Sequence, residues 1–95
     1  MRYSYGTIYN KWMRAGETPI GKIMHAYDSV YRKLWFEHKS SNPRIFYPNG
    51  SLILFLEDIP PSRNDIPIYC EVLIGGQKGR IMISALKFSY PKKVD

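Results

Sequence analysis

Cysteine and histidine are scarce in this chain of 95 residues, which holds one cysteine, Cys70, and two histidines, His25 and His38. One thiol cannot form an internal disulfide, and a lone cysteine suits a reducing compartment. The sequence has no Cys-x-x-Cys pair and no paired histidine spacing, so we expect no metal site and no cofactor. We expect His25 at the edge of the core and His38 in solvent.

Long apolar runs are also absent. No run approaches the roughly 20 residues needed to cross a bilayer, so we expect no membrane partner. The first six residues are polar and aromatic, and they do not resemble a signal peptide. We therefore expect a soluble, intracellular protein that is not secreted.

Acidic residues are few, eight against fourteen basic residues, which gives a formal net charge of +6. The excess lies in residues 1–50, which hold eight basic and three acidic side chains and ten of the fourteen aromatic residues. A basic surface rich in aromatic rings favours an anionic partner such as nucleic acid. The same composition also serves solubility and an aromatic core, and we favour this second interpretation.

No catalytic arrangement is recognisable. Cys70 lies in an alternating apolar run, which is typical of a buried thiol and not of a nucleophile. The glycines around Lys78 lack the Gly-Lys-Ser/Thr ending of a phosphate loop. Glu57 and Asp58 precede a proline-rich loop, where we expect solvated charges and not an acid–base pair. We predict no catalytic residues and no enzymatic activity.

Three apolar runs separated by turn residues dominate the second half of the chain: Leu52–Leu56, Ile66–Ile74 and Ile81–Leu86. The first is apolar at every position, so we expect a central strand that is covered on both faces. In the second, alternation places four residues on one face: Ile68, Cys70, Val72 and Ile74. The glycines of residues 75–79 supply the positive φ of a hairpin turn. The pattern predicts a small antiparallel meander in an all-β barrel.

Residues 18–38 are ambiguous. Apolar residues recur there at helical spacing, but Gly21 and many β-branched and aromatic residues disfavour a helix. We expect two strands, Ile20–Tyr27 and Tyr31–His38, because a barrel built on residues 50–90 needs partners for its edge strands. The length gives one domain, which we divide into an N-terminal arm or short helix (1–17), a barrel (18–90) and a basic tail (91–95).

The run Gly79–Leu86 resembles the closing segment of Src-homology-3-like barrels. There a glycine-ended hairpin leads into a short strand, one turn of tight helix and a last strand. Ser84–Leu86 would be the helical turn and Lys87–Tyr90 the last strand, and His25–Asp28 resembles the Ala-Leu-Tyr-Asp-Tyr opening of the family. The resemblance covers residues 20–90 and implies a single barrel of about five to six antiparallel strands.

Departures from the family limit what the resemblance implies. Met82 stands where peptide-binding members have a proline, Ala85 where they have a tyrosine, and no tryptophan follows Trp35. Recognition of proline-rich peptides is therefore not expected. The chain is more similar to small uncharacterised barrels of bacteria and their viruses, and to nucleic-acid binders associated with translation or transcription. This similarity implies the cytoplasm of a bacterial cell or of a virus-infected host cell.

Basic and aromatic residues interleave along residues 27–47 and supply the candidate binding residues: Tyr31, Arg32, Lys33, Arg44, Tyr47 and Tyr69. We expect Tyr31, Tyr47 and Tyr69 to be exposed, and Tyr27, Trp35 and Phe46 to fill the barrel. The function we expect is a non-catalytic binding module that contacts a protein partner or a second copy through exposed tyrosines and the arm. The alternative is nucleic-acid binding by a basic aromatic face of residues 20–50.

Overall fold

A computed structural model describes residues 1–38, 44–58 and 68–92. In chain order the elements are β1 (Tyr3–Ser4), α1 (Tyr5–Arg14), β2 (Ile23–Tyr27), β3 (Lys33–His38), β4 (Arg44–Pro48), β5 (Leu52–Phe55), β6 (Tyr69–Ile74), β7 (Gln77–Met82), a 3-10 helix (Ile83–Ala85) and β8 (Lys87–Ser89). The sequence Ser40-Ser41-Asn42-Pro43 predicts a turn, but these residues lie outside the described ones, as do the proline-rich loop at 60–65, the His38 side chain and the end of the tail.

The strands form a single antiparallel sheet in the order β1-β8-β2-β5-β6-β7-β3-β4, which curls into a half-barrel. The prediction of a mainly β fold is confirmed. The prediction of five to six strands is wrong, because the described residues form eight. The short β1 extends one edge beside β8, and the β3–β4 hairpin extends the other edge beside β7.

The two strands expected between residues 20 and 38 are present as β2 and β3, and the helical alternative is excluded. They do not form a ladder with each other: β2 pairs with β5 and β8, whereas β3 pairs with β4 and β7. The chain turns away after β2 because the Asp28 carboxylate accepts hydrogen bonds from the amides of Val30 and Tyr31, both at 2.9 Å. The Asn49 side chain bonds both backbone groups of Asp28 and ties this turn to the end of β4.

Helix α1 packs against the sheet and contributes to the core. Ser4 caps it by accepting from the Thr7 amide, and Gly16 follows its end with a φ of 69°. Tyr5, Ile8 and Trp12 form its buried face, so these side chains are unavailable to a partner. Among the described residues, no helix has the length and apolar character to span a membrane.

Alternation along the strands builds the core. The inward set expected in β6, Ile68, Cys70, Val72 and Ile74, is buried. In β5, Ile53 and Phe55 are buried, but Leu52 is 47% exposed and Leu54 is only partly buried. The expectation that this strand is covered on both faces is therefore wrong, because α1 and the curl of the sheet cover only the inner face.

The β6–β7 hairpin requires glycine in two places, in its turn and inside β7, for two different physical reasons. Gly75 and Gly76 form the turn with φ of 55° and 77°, as the sequence predicts. Gly79 lies inside β7, opposite Val72 on one side and His38 on the other. A Cβ at Gly79 would overlap the Glu37 carbonyl oxygen and the Phe36 ring, so β3 approaches β7 this closely only where a side chain is missing.

We predict that Gly79→Ala destabilises the fold by about 1–3 kcal/mol, as overpacking of a filled core does. The expected loss of thermal stability is roughly 4–8 °C in Tm for each kcal/mol. Gly6→Ala is the matched control, because nothing lies within 4 Å of its added methyl group and alanine favours a helix. Equal melting temperatures for wild type and Gly79→Ala would contradict the prediction, because they would mean that β3 and β7 move apart to admit the methyl group at no cost in stability.

Cys70, the one cysteine of the chain, is unreactive because its thiol is buried. Cys70 is 1% exposed, and its S–H is directed at the carbonyl oxygens of Glu57 and Glu71. Burial, reinforced by the charges of these two glutamates, raises the pKa of the thiol to about 12. The reactive thiolate is therefore scarce near neutral pH, which agrees with the expected structural role.

We predict that native Cys70 reacts with iodoacetamide at pH 8 at least about tenfold more slowly than the same thiol in urea, because unfolding restores its ordinary pKa. Mass spectrometry counts the label directly, since the chain has no second cysteine. The pKa of Cys70 is higher in the folded than in the unfolded chain. The protonated thiol therefore stabilises the fold at pH values below its ordinary pKa. That contribution is lost as pH rises towards about 12. Equal labelling rates in buffer and urea would contradict the burial.

Candidate binding groove

A concave groove of about 280 Å³ lies between the β3–β4 hairpin and the β6–β7 hairpin. Its two walls meet where β3 pairs with β7. The lining combines apolar, aromatic and charged side chains: Asp28, Tyr31, Trp35, Glu37, Arg44, Tyr69, Arg80, Ile81, Met82 and Leu86. Such a mixture of apolar surface and a few polar groups is typical of binding sites.

Aromatic rings dominate the wall formed by the β3–β4 hairpin and the turn that precedes it. The Tyr31 ring packs on Trp35 with 5.6 Å between centroids, and Trp35 meets Phe46 edge-to-face at 4.9 Å. Tyr31 is 62% exposed and Phe46 is 46% exposed, so these two rings are held by Trp35 while much of their surface faces solvent. Tyr69, on the opposite wall, is also 46% exposed.

Cations lie over the rings. The Arg44 guanidinium is 4.9 Å from the Trp35 ring, the Lys33 ammonium is 4.3 Å from Phe46, and Arg80 is 5.0 Å from Tyr69. Each contact falls within the distance at which a cation is attracted to an aromatic face. The charged and aromatic residues thus form one connected surface.

Glu37 holds the two arginines of the groove together. Its carboxylate accepts a hydrogen bond from Arg80 Nε at 2.8 Å and lies 3.9 Å from Arg44 Nε. The hydrogen bond and charge of Glu37 raise the pKa of Arg80 above its ordinary value. With Asp28 also on the lining, positive and negative charges in the groove are balanced in number.

Trp35 carries an unsatisfied polar group. Its indole Nε1 is buried and has no hydrogen-bond partner among the residues that the structure describes. A buried donor without an acceptor costs roughly 1–3 kcal/mol. A ligand that brought an acceptor to this atom would therefore gain binding free energy.

The six residues that the sequence singles out divide between the groove, its margin and the core. Tyr31, Arg44 and Tyr69 line the groove. Lys33 lies beside it over Phe46, and Arg32 occupies the β2–β3 turn with a φ of 58°. Tyr47 was expected to be exposed, but it is partly buried against the core.

The position of Tyr47 follows from strand alternation. Its ring meets Phe36 edge-to-face at 5.6 Å, and its hydroxyl donates to the Ile74 carbonyl at 3.4 Å. Phe46, which was expected to fill the barrel, therefore lies on the outer side with Arg44. The burial expected for Trp35 and Tyr27 is only partial.

Three residues of the groove lining were not predicted from the sequence: Glu37, Arg80 and Met82. Period-two alternation from Trp35 reaches Glu37, so this residue could have been found on the same face. Arg80 and Met82 come from a distant part of the sequence, and the β3–β7 pairing that brings them to the hairpin has no local signal.

The groove brings together rings, cations and carboxylates, which are groups that can make non-covalent contacts with a ligand. Among the described residues there is no group of three or more histidine, cysteine, aspartate or glutamate side chains that could hold a metal ion. Cys70 faces the core, on the opposite side of β6 from Tyr69. No protein-family model, curated protein or solved structure matches this chain.

Proposed function

We propose that this protein is a non-catalytic binding module that holds an extended segment of a partner protein in the groove between the two hairpins. The observation that carries the proposal is the cluster of partly exposed rings from Tyr31, Trp35 and Tyr69 on opposite walls of one groove. Aromatic side chains in desolvated pockets supply most of the energy in protein interfaces. The Trp35 N–H would donate to a backbone carbonyl of the segment once its neighbours shift.

The charge of the groove supports a protein segment over a nucleic acid. Arg44 and Arg80 both face Glu37, so their charge is already compensated at the centre of the site. A phosphate would have to compete with this carboxylate, whereas an uncharged peptide backbone would not. Met82 adds a flexible apolar side chain to the lining, which suits varied side chains in the partner.

We also propose that the half-barrel is an Src-homology-3-like barrel enlarged by β1 and the β3–β4 hairpin. The order that supports this is a glycine-containing hairpin, β7, one 3-10 turn and β8. The turn begins at Ile83, one residue before the expected position. The groove differs from that of the peptide-binding members of the family, which have a proline at the position of Met82 and a tyrosine at the position of Ala85.

Selection from a display library of random 12-residue peptides tests the function. We expect selected peptides to shift the fluorescence of Trp35, since the other tryptophan, Trp12, is buried in the core. Tyr69→Ala should weaken binding by roughly tenfold or more. Tyr90→Ala is the matched control, because Tyr90 is similarly exposed but contacts Tyr3 away from the groove.

The alternative partner is tested with a single-stranded oligonucleotide in the same assay. Binding that falls steeply with salt and is lost in Arg32→Ala/Lys33→Ala would favour nucleic acid. Selected peptides that bind Tyr69→Ala as tightly as wild type would overturn the groove as the protein-binding site.

A further inference from the structure

The turn between β4 and β5 places asparagine directly before glycine, at Asn49-Gly50, and no other asparagine of the chain is followed by glycine. A hydrogen bond from the Ser51 amide to the Pro48 carbonyl at 3.2 Å closes the turn around this pair. Gly50 has a φ of 90°, a conformation that favours glycine at the third position of a turn. The backbone of the turn therefore requires a glycine after Asn49.

The Asn49 side chain ties this turn to the turn between β2 and β3. Its Oδ1 atom accepts a hydrogen bond from the Asp28 amide, and its Nδ2 atom donates to the Asp28 carbonyl, both at 2.9 Å. An amide side chain supplies a donor and acceptors together, whereas an ionised carboxylate supplies acceptors only. Since the Asp28 carboxylate binds the amides of Val30 and Tyr31, the position of Tyr31 beside the groove is linked to Asn49.

An asparagine that precedes glycine is chemically labile, because no side chain keeps the glycine nitrogen away from the asparagine amide. In deamidation the Gly50 nitrogen bonds to the Asn49 Cγ atom, and its proton passes through water to the departing Nδ2 atom. The Cγ–Nδ2 bond breaks, ammonia leaves and a cyclic imide remains. Water then opens the imide at either carbonyl carbon, which gives aspartate or isoaspartate.

The folded chain blocks this reaction at both reacting groups. The Gly50 amide donates a 2.8 Å hydrogen bond to the Ala26 carbonyl, and both polar atoms of the Asn49 amide are held by Asp28. The Gly50 carbonyl also shares a 2.7 Å hydrogen bond with His25 Nδ1. Attack on the Asn49 amide therefore requires the turn to detach from β2, which is a local opening of the fold.

We propose that Asn49 is a deamidation site that stays closed while the β4–β5 turn is bonded to β2, and that its modification loosens the turn carrying Tyr31. The new carboxylate would accept from the Asp28 amide as before. Its second oxygen would face the Asp28 carbonyl, where the Nδ2 atom donates in the unmodified chain, so that a hydrogen bond is replaced by repulsion. Modification thus makes a transient opening of this turn permanent, and it lowers the formal net charge of +6 by one.

Timed incubation at mildly alkaline pH, in buffer and in guanidinium chloride, tests the reactivity of the site. Water enriched in heavy oxygen labels the product, because opening of the imide adds one oxygen atom from solvent, and peptide mapping by mass spectrometry locates the label. We expect Asn49 to react at least about tenfold faster in denaturant than in buffer. Asn10, which precedes Lys11, is the internal control and should react far more slowly than Asn49 in denaturant.

Equal rates for Asn49 in buffer and in denaturant would overturn the proposed protection. Rates in denaturant that are equal for Asn49 and Asn10 would overturn the assignment of the site. Both measurements use the wild-type chain, so they do not depend on a variant that folds.

Asn49→Asp reproduces one product and tests the structural consequence. We expect hydrogen exchange of the Asp28 and Gly50 amides to accelerate at least about tenfold and the Tyr31 amide resonance to shift, while β6 exchanges as in wild type. Asn10→Asp is the matched control, since it makes the same change at an exposed position of α1 and should leave these amides unchanged. Wild-type exchange at Asp28 in Asn49→Asp would overturn the proposed loosening. No ligand is needed, so this proposal and peptide binding in the groove can fail separately.

Discussion

The pairing of β3 with β7 is the contact on which the rest of the structure depends. It consists of two register pairs, Glu37 with Arg80 and His38 with Gly79. Gly79 admits the backbone of β3 and the Phe36 ring on the core side, while the ion pair between Glu37 and Arg80 joins the strands on the outer side. Without this pairing the β3–β4 hairpin would extend into solvent, and the groove would lose one of its walls.

The same alternation that fills the core also decides which surfaces are available for binding. Among the described residues no side chain of a charged or strongly polar type is buried, and the core is hydrophobic apart from groups such as the Tyr5 hydroxyl and the Cys70 thiol. On the outer face β3 and β4 carry aromatic rings, cations and the Glu37 carboxylate, whereas Leu52 and Leu54 of β5 and Ile23 of β2 are aliphatic. A small domain with one core therefore presents two chemically different surfaces, one with rings and compensated charges and one with bare aliphatic groups.

Local patterns in the sequence predicted the local structure well, as in the alternation of β6 and the glycine turn at Gly75-Gly76, while the helical turn before β8 was expected from the resemblance to Src-homology-3-like barrels. They could not predict which strands pair across the chain. The β3–β7 contact joins residues more than forty positions apart, and its strongest signal is one glycine inside a strand. This explains why Tyr31 and Tyr69 could be singled out separately, while Arg80 and Met82 were missed. The prediction that Tyr47 is exposed was wrong. Phe46 and Tyr47 are adjacent in a strand and face opposite sides, and the sequence does not reveal which of the two faces inward.

The basic and aromatic bias of the first half of the chain has a structural use that does not involve nucleic acid. Arg2 lies 3.7 Å from the Tyr27 ring, and Lys11 lies between Tyr3 and Tyr90 at 5.4 and 5.2 Å. Lys33 and Arg44 cover rings of the hairpin in the same way. At exposed sites each contact contributes about 0.5–1 kcal/mol, and the aliphatic stems of the cations also shield the rings from water. Because these cations already contact rings within the protein, a net charge of +6 does not by itself indicate a nucleic-acid partner.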